Sequence, residues 1–246
     1  MTLLGRAEDE AALRDAWLLR QPCDEAGSAG NVLAAWRRLA GRSLPPAIEE
    51  VQLVAGLLCV GWSDGFGDLI DVARDQVRGG APAPAVAARV AAAVMREDPK
   101  AELLAWWLAD CALSWRMGWR HALPILTAQM HAPLLRSGPN GRRARPGSES
   151  FEQAVFIAAA LGAAEACRLA ADMAAQAERL RAASPKLRSK AADDVIDRLL
   201  GDDAVSGTLT SRNLSRWASR RLFDRLLELG AVRELSGRPT FRIYGI

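Results

Sequence analysis

Through most of the chain, apolar residues recur at intervals of three and four, the spacing that gathers side chains on one face of an α-helix. Leu13 and Trp17 share such a face in a first predicted helix, with acids early and Arg20 late, the order the helix dipole favours. Gly27, Ser28 and Gly30 are expected to break it before Val32, Trp36 and Leu39 line a second, shorter helix. Pro45 and Pro46 introduce a third, which is apolar nearly all round as far as Cys59 and is expected to be central. Residues 63–78 form the clearest amphipathic helix: Phe66, Leu69, Ile70, Ala73 and Val77 oppose Asp64, Asp68, Asp71 and Asp75. Val86, Val90 and Val94 mark the next. Asp98 and Pro99 read as the N-cap and first residue of a long helix ending near Gly118.

Periodicity stops between Arg136 and Gly147, where glycine, proline and Asn140 accompany Arg136, Arg142, Arg143 and Arg145 in an expected solvated linker. Ser150 and Gln153 then form a capping-box pair for an Ala-rich helix reaching Ala183, where Ser184 and Pro185 stop it. Its spine of Val155, Ala159, Gly162, Ala166, Leu169, Met173 and Leu180 is mostly small, so neighbouring helices are expected to approach closely.

The pattern changes after Pro185. A short helix over 190–200 is closed by Gly201, and Ser215 caps a helix over 216–229 that ends at Gly230. Two strands, 232–235 and 240–244, flank a turn; the second sets Phe241 and Ile243 on one side, Arg242 and Tyr244 on the other. Helix, short helical segment, helix and terminal hairpin is the winged-helix order. The expected fold is therefore mainly α: a helical bundle-like domain over 1–185, then a small winged helix with a two-stranded hairpin over 186–246.

In the 216–229 helix, Ala218, Leu222, Leu226 and Leu229 form an inward stripe, while Arg216, Trp217, Arg220, Arg221 and Asp224 point away. From Val205 onward the chain is locally basic, with Arg212, Arg216, Arg220, Arg221, Arg225, Arg233, Arg238 and Arg242 against Asp224, Glu228 and Glu234. In helix-turn-helix proteins the corresponding helix enters the major groove and its N-terminal residues meet base edges. Arg216 and Arg220 are placed for that contact, and Arg238 at the hairpin tip for a phosphate or the minor groove. Arg212, Arg216, Arg220, Arg221, Arg238 and Arg242 are thus the candidate nucleic-acid contacts, with double-stranded DNA as partner. A protein partner fits the same module equally, through an apolar flank of Phe223 and Leu227, with no nucleic acid involved.

Composition restrains the DNA reading. Among 246 residues the net charge is only +3, and the cations are nearly all arginine, the signature of a GC-rich genome as much as of a polyanion binder. Half the residues are apolar and a quarter charged, as in a soluble domain with a core. Cys23, Cys59, Cys111 and Cys167 are far apart and form no metal-ligand spacing; they read as buried thiols of a reducing cytoplasm. No signal peptide is expected at the start of the sequence, because Glu8, Asp9 and Glu10 interrupt the apolar pattern. The apolar stretch over 51–62 is too short for a bilayer, which takes about 20 residues. A cytoplasmic protein without a membrane role is expected.

Chemistry is sparse. The aspartates of the 63–78 helix are best read as its solvated face rather than a cation site. Asp110, between Trp106, Trp107 and Trp115, is expected to be partly buried and paired with Arg116 or Arg120, a structural ion pair being favoured over a catalytic acid. His121 and His131 have no metal spacing, and neither a phosphate-binding glycine loop nor a nucleophile motif occurs. No catalytic residue, metal or cofactor is expected.

Residues 5–19 (GRAEDEAALRDAWLL), 103–126 (LLAWWLADCALSWRMGWRHALPIL) and 218–246 (ASRRLFDRLLELGAVRELSGRPTFRIYGI) resemble a bacterial family catalogued as domain of unknown function 1403. The resemblance covers most of the chain and implies no activity and no catalytic residues. It supports the fold expectation alone.

Overall fold

The computed structural model describes residues 27–136, 141, 143–187, 191–236 and 242–246. The expected first helix around Leu13 and Trp17, Cys23, Arg142, Phe241 and Arg238 at the hairpin tip lie outside the described residues. The chain divides into two compact units, Met1–Ala166 and Cys167–Ile246. The division falls inside a long helix, not at Pro185, because the last turns of that helix carry Leu180 and Ala183 into the second core.

In the first unit, α1 (Gly27–Gly41), α2 (Ile48–Leu57), α3 (Asp64–Arg78), α4 (Ala83–Glu97) and α5 (Glu102–Arg116) surround one apolar core. The pairing of α4 with α5 is the most extensive. Alanines 85, 87, 88, 91 and 93 let the α4 backbone come close, and α5 is buried from Leu104 to Ser114. Trp106 meets Phe151 edge-on at 5.3 Å, and the Trp107 indole donates to the Ala35 carbonyl at 2.9 Å. Each such large side chain, fully buried, contributes about 1.5–3 kcal/mol.

Several expectations are corrected here. The central helix is α5, not α2, which buries only Val51, Val54 and Ala55 and leaves Ile48 and Leu53 exposed. Gly27, with a φ of 62°, begins α1, and Ser28 and Gly30 lie within it. Asp98 ends α4, and its carboxylate accepts from the Lys100 N–H at 2.8 Å, so α5 starts later, after Ala101. Cys59 and Cys167 are exposed, and only Cys111 of the described cysteines is buried. Cys59 has a φ of 57° just past the end of α2, where Val60 N–H reaches back to the Ala55 carbonyl; this left-handed turn carries its side chain away from the core.

At Arg143 and Arg145 the arginine stretch is not a free linker. Arg143 and Arg145 both grip Glu102 at the start of α5, each at 2.5 Å, and Ala144 between them is buried. Burial pushes the Glu102 carboxyl up, but the Arg145 hydrogen bond and both guanidinium charges outweigh it and hold its pKa below the usual value. A short helix α6 (Ile125–Ala128) follows α5, and a single 3-10 turn (Pro133–Leu135) follows that.

The helix α7 (Phe151–Ala183) begins in the first unit, burying Phe151, Ala154, Val155 and Ala158. At Gly162 a side chain is impossible without movement, since a Cβ would lie 2.3 Å from the Ile125 carbonyl oxygen. Between Gly162 and Leu180 no residue of α7 is buried. By length and composition the helical stretch Phe151–Lys186 is apolar enough to cross a membrane, and is longer than the 51–62 stretch; 22% of its most apolar window is buried.

The second unit adds α8 (Ala192–Gly201), β1 (Val205–Ser206), α9 (Arg216–Glu228), β2 (Arg233–Glu234) and β3 (Ile243–Gly245). The sheet has three antiparallel strands in the order β1-β3-β2, one more than the expected hairpin. Val205 pairs with Tyr244 and Ser206 with Ile243; on the other edge Arg233 pairs with Gly245 and Glu234 with Tyr244. Two residues are too short to show a period of two, which hides β1 from pattern reading. Covered on both edges, β3 buries Ile243 and Tyr244 alike, while Arg242 before it stays exposed. The core gathers Leu180, Val195, Leu199, Val205, Leu222, Phe223, Leu226 and Tyr244, with Phe223 stacked on Tyr244 at 4.5 Å.

Candidate nucleic-acid interface

Helix α9 has the ends its sequence specifies. Ser215 stands in extended conformation and its hydroxyl accepts from the Ala218 N–H at 3.3 Å, satisfying one orphan donor of the first turn. At the other end Gly230 has a φ of 64°, and Ala231 N–H bonds back to the Leu226 carbonyl at 3.0 Å. Between these caps Ser219, Leu222, Phe223 and Leu226 are buried, and Ala218 and Leu229 are partly so. The Ser219 hydroxyl donates to the Gly207 carbonyl at 3.1 Å, which fixes the segment after β1 against the helix.

Arg216, Trp217, Arg220, Arg221 and Asp224 face solvent, and Arg212 in the preceding segment is exposed too. Arg212, Arg216 and Arg221 make no ion pair with any described residue. The Arg220 guanidinium lies over the Trp217 ring, 5.5 Å from its centroid. Farther along the helix the cations are matched by acids: Arg225 pairs with Glu228 at 2.7 Å, and Arg242 lies 3.9 Å from Asp224 and 3.8 Å from Glu234. The Tyr244 hydrogen bond and then the Glu234 charge hold Arg242 protonated more firmly than usual. Along α9 itself the unmatched positive charge is thus confined to the N-terminal half. Of the candidate residues, Arg216, Arg220 and Arg221 belong to that solvent face, Arg212 is exposed in the segment before it, and Arg242 sits in an acidic setting.

The apolar flank foreseen for a protein partner is different from expectation. Phe223 is fully buried against Tyr244, and Leu227 is half-buried against the same core. Leu222 and Phe223 are adjacent in sequence, and the inward stripe is wide enough to take both because the sheet covers one side of it.

Elsewhere the chemistry is structural. Asp110 is fully buried and has no arginine partner among the described residues; Arg116, six residues on and turned to another face of α5, donates to the Ala81 carbonyl at 3.1 Å. The Asp110 carboxylate instead accepts from Leu126 N–H at 2.7 Å, Thr127 N–H at 3.3 Å and the Thr127 hydroxyl at 2.5 Å. It holds the first turn of α6, whose backbone donors have no helical acceptor. Burial raises its pKa to about 7 against the lowering effect of these bonds; Trp36 adds a further lowering influence, although its Nε1 makes no hydrogen bond of ordinary geometry.

Asp64, Asp68, Asp71 and Asp75 are exposed, and Asp71 pairs with Arg74. Among the described residues no cluster of His, Cys, Asp or Glu could hold a metal ion. His121 Nδ1 lies 3.1 Å from the Arg42 carbonyl oxygen at the surface. An open cleft of about 470 Å³ between α1 and α2 is lined by Arg37, Arg38, Arg42, Leu53 and Leu57, a grouping that sequence spacing did not single out. Its Arg38 is committed to a two-bond grip on Glu50, at 2.6 and 2.8 Å.

No curated protein matches this chain. The family described as a protein of unknown function (DUF1403) matches residues 1–246, the whole sequence. With a mainly helical fold and a small antiparallel sheet at its end, the chain belongs to that family.

Proposed function

We propose that the second unit is a winged helix and that it binds double-stranded DNA through the N-terminal half of α9, making the chain a DNA-associated or regulatory protein. The observation that carries this reading is the segregation of charge on α9. Arg216, Arg220 and Arg221 are exposed opposite the buried Leu222, Phe223 and Leu226, Arg212 is exposed just before the helix, and none has an acidic partner among the described residues. A guanidinium already paired within the chain must break that pair to bind phosphate; these need not. The element order, helix, strand, helix and two strands, with β1 laid on the last strand, supports the winged-helix assignment.

Fluorescence anisotropy of the whole chain with a labelled generic duplex at low salt tests the reading. Binding in the micromolar range is expected, with log K falling against log salt at a slope of about −3 to −4 for three or four phosphate contacts. Arg216→Ala with Arg220→Ala should weaken binding and flatten the slope by about 2. Absence of binding at micromolar protein, or binding indifferent to the double substitution, refutes it.

A further inference from the structure

Trp217 occupies the second position of α9 and is 73% exposed, more than any other large apolar side chain among the described residues. The other described tryptophans behave as this residue type ordinarily does. Trp36, Trp106 and Trp107 are buried, and Trp62, Trp115 and Trp119 are partly buried against the first core. An indole left in water forgoes the burial that stabilises those six. Its setting is cationic rather than apolar: Arg216 precedes it, Arg220 lies against its ring, and Arg221 shares the solvent face. A tryptophan that anchors a protein interface sits within an apolar patch that excludes water. Here the solvent face around the ring offers guanidinium groups instead.

A flat π-surface flanked by cations matches one ligand chemistry closely, an unstacked nucleobase between two phosphates. In an intact duplex every base already stacks on its neighbours, so an indole standing out from a helix finds no free face. At an overhang, fork or bulge it does.

We propose that Trp217 stacks on an unpaired base, and that the DNA this chain prefers is a duplex with a single-stranded extension. Arg216, Arg220 and Arg221 would neutralise the phosphates on either side, with Arg220 also holding the indole in place by its cation–π contact. The inference rests on the DNA reading above and adds the class of substrate.

The test compares three labelled DNAs with the full chain at one low salt concentration: a blunt duplex, the same duplex with a 3′ thymine overhang, and the free single strand. The overhang should be bound on the order of ten-fold more tightly than the blunt end. Trp217→Ala should abolish that advantage while leaving blunt-duplex affinity and the salt slope unchanged, because stacking releases no counterions. Trp217→Phe, which keeps a ring, should retain most of it. Equal affinity for blunt and overhanging DNA, with binding still lost in Arg216→Ala/Arg220→Ala, overturns the stacking role and leaves the DNA reading standing. A Trp217→Ala variant that loses blunt and overhanging DNA alike also overturns it. Failure to bind any of the three brings down both.

Discussion

Asp110 shows how a residue can look catalytic and be architectural. Its carboxyl titrates near 7, against an ordinary 3.8, because it is enclosed; the bonds from Leu126 and Thr127 pull the other way and lose. An acid whose folded pKa exceeds its unfolded one carries more protons folded than unfolded between those values. Stability from this group is therefore complete below about pH 4 and declines as pH rises to 7, by on the order of a few kcal/mol. Asp110→Asn keeps the shape, can accept from Leu126 N–H, and can donate to the Thr127 hydroxyl. Urea midpoints measured from pH 4 to 7 should decline in the natural chain and stay level in the variant; the same decline in both would locate the titrating group elsewhere. The residue type and its apolar surroundings were readable from the sequence. Its partners were not, since they arrive from α6, whose position follows from packing across sixteen and seventeen residues of chain.

At the scale of elements, legibility followed length and period. The amphipathic α3 and the capped α9 lie where their patterns place them, to within a residue or two, because each carries both its stripe and its stop signals. The two-residue β1 had no pattern to show, and the burial of Phe223 depends on the sheet that β1 completes. The arginines of 143 and 145 looked solvated because their acid, Glu102, is more than forty residues upstream. The small-residue spine expected on α7 leaves Leu169 and Met173 exposed farther along, but it meets a neighbour closely at Gly162. Alanine there would favour the helix by about 1 kcal/mol. Against that, its Cβ would press to 2.3 Å from the Ile125 carbonyl oxygen and 2.7 Å from the Ile125 Cγ2, and forced shifts of this kind cost about 1–3 kcal/mol. Gly162→Ala should accordingly lower the urea midpoint with the m-value unchanged; a raised midpoint would mean that α6 yields without penalty.

For the molecule as a whole, the important fact is two cores in one chain. The tryptophans are divided unequally between them: those packed in a core belong to the first unit, and the second has exposed Trp217. Tryptophan emission therefore reports the first unit, while far-ultraviolet circular dichroism reports both. Phe223→Ala removes a ring that is fully buried against Tyr244, at a cost of about 3–5 kcal/mol to the second unit. In urea this variant should show an early loss of ellipticity with the emission midpoint unmoved. A parallel shift in both signals would show one cooperative unit. Net charge of +3 for the entire chain conceals the same division, since the cations that matter to the proposal lie on one helix of the second unit and just before it.

The bare middle of α7 sets a rule for its own sequence. Residues there contribute helix through alanine's low entropic cost and the Arg168–Asp172 pair, since none of them is buried. Nucleation, the expensive step for an isolated helix, is supplied by anchored turns at both extremities, so the span between has only to propagate. One proline would sever the rod while both interiors remained whole.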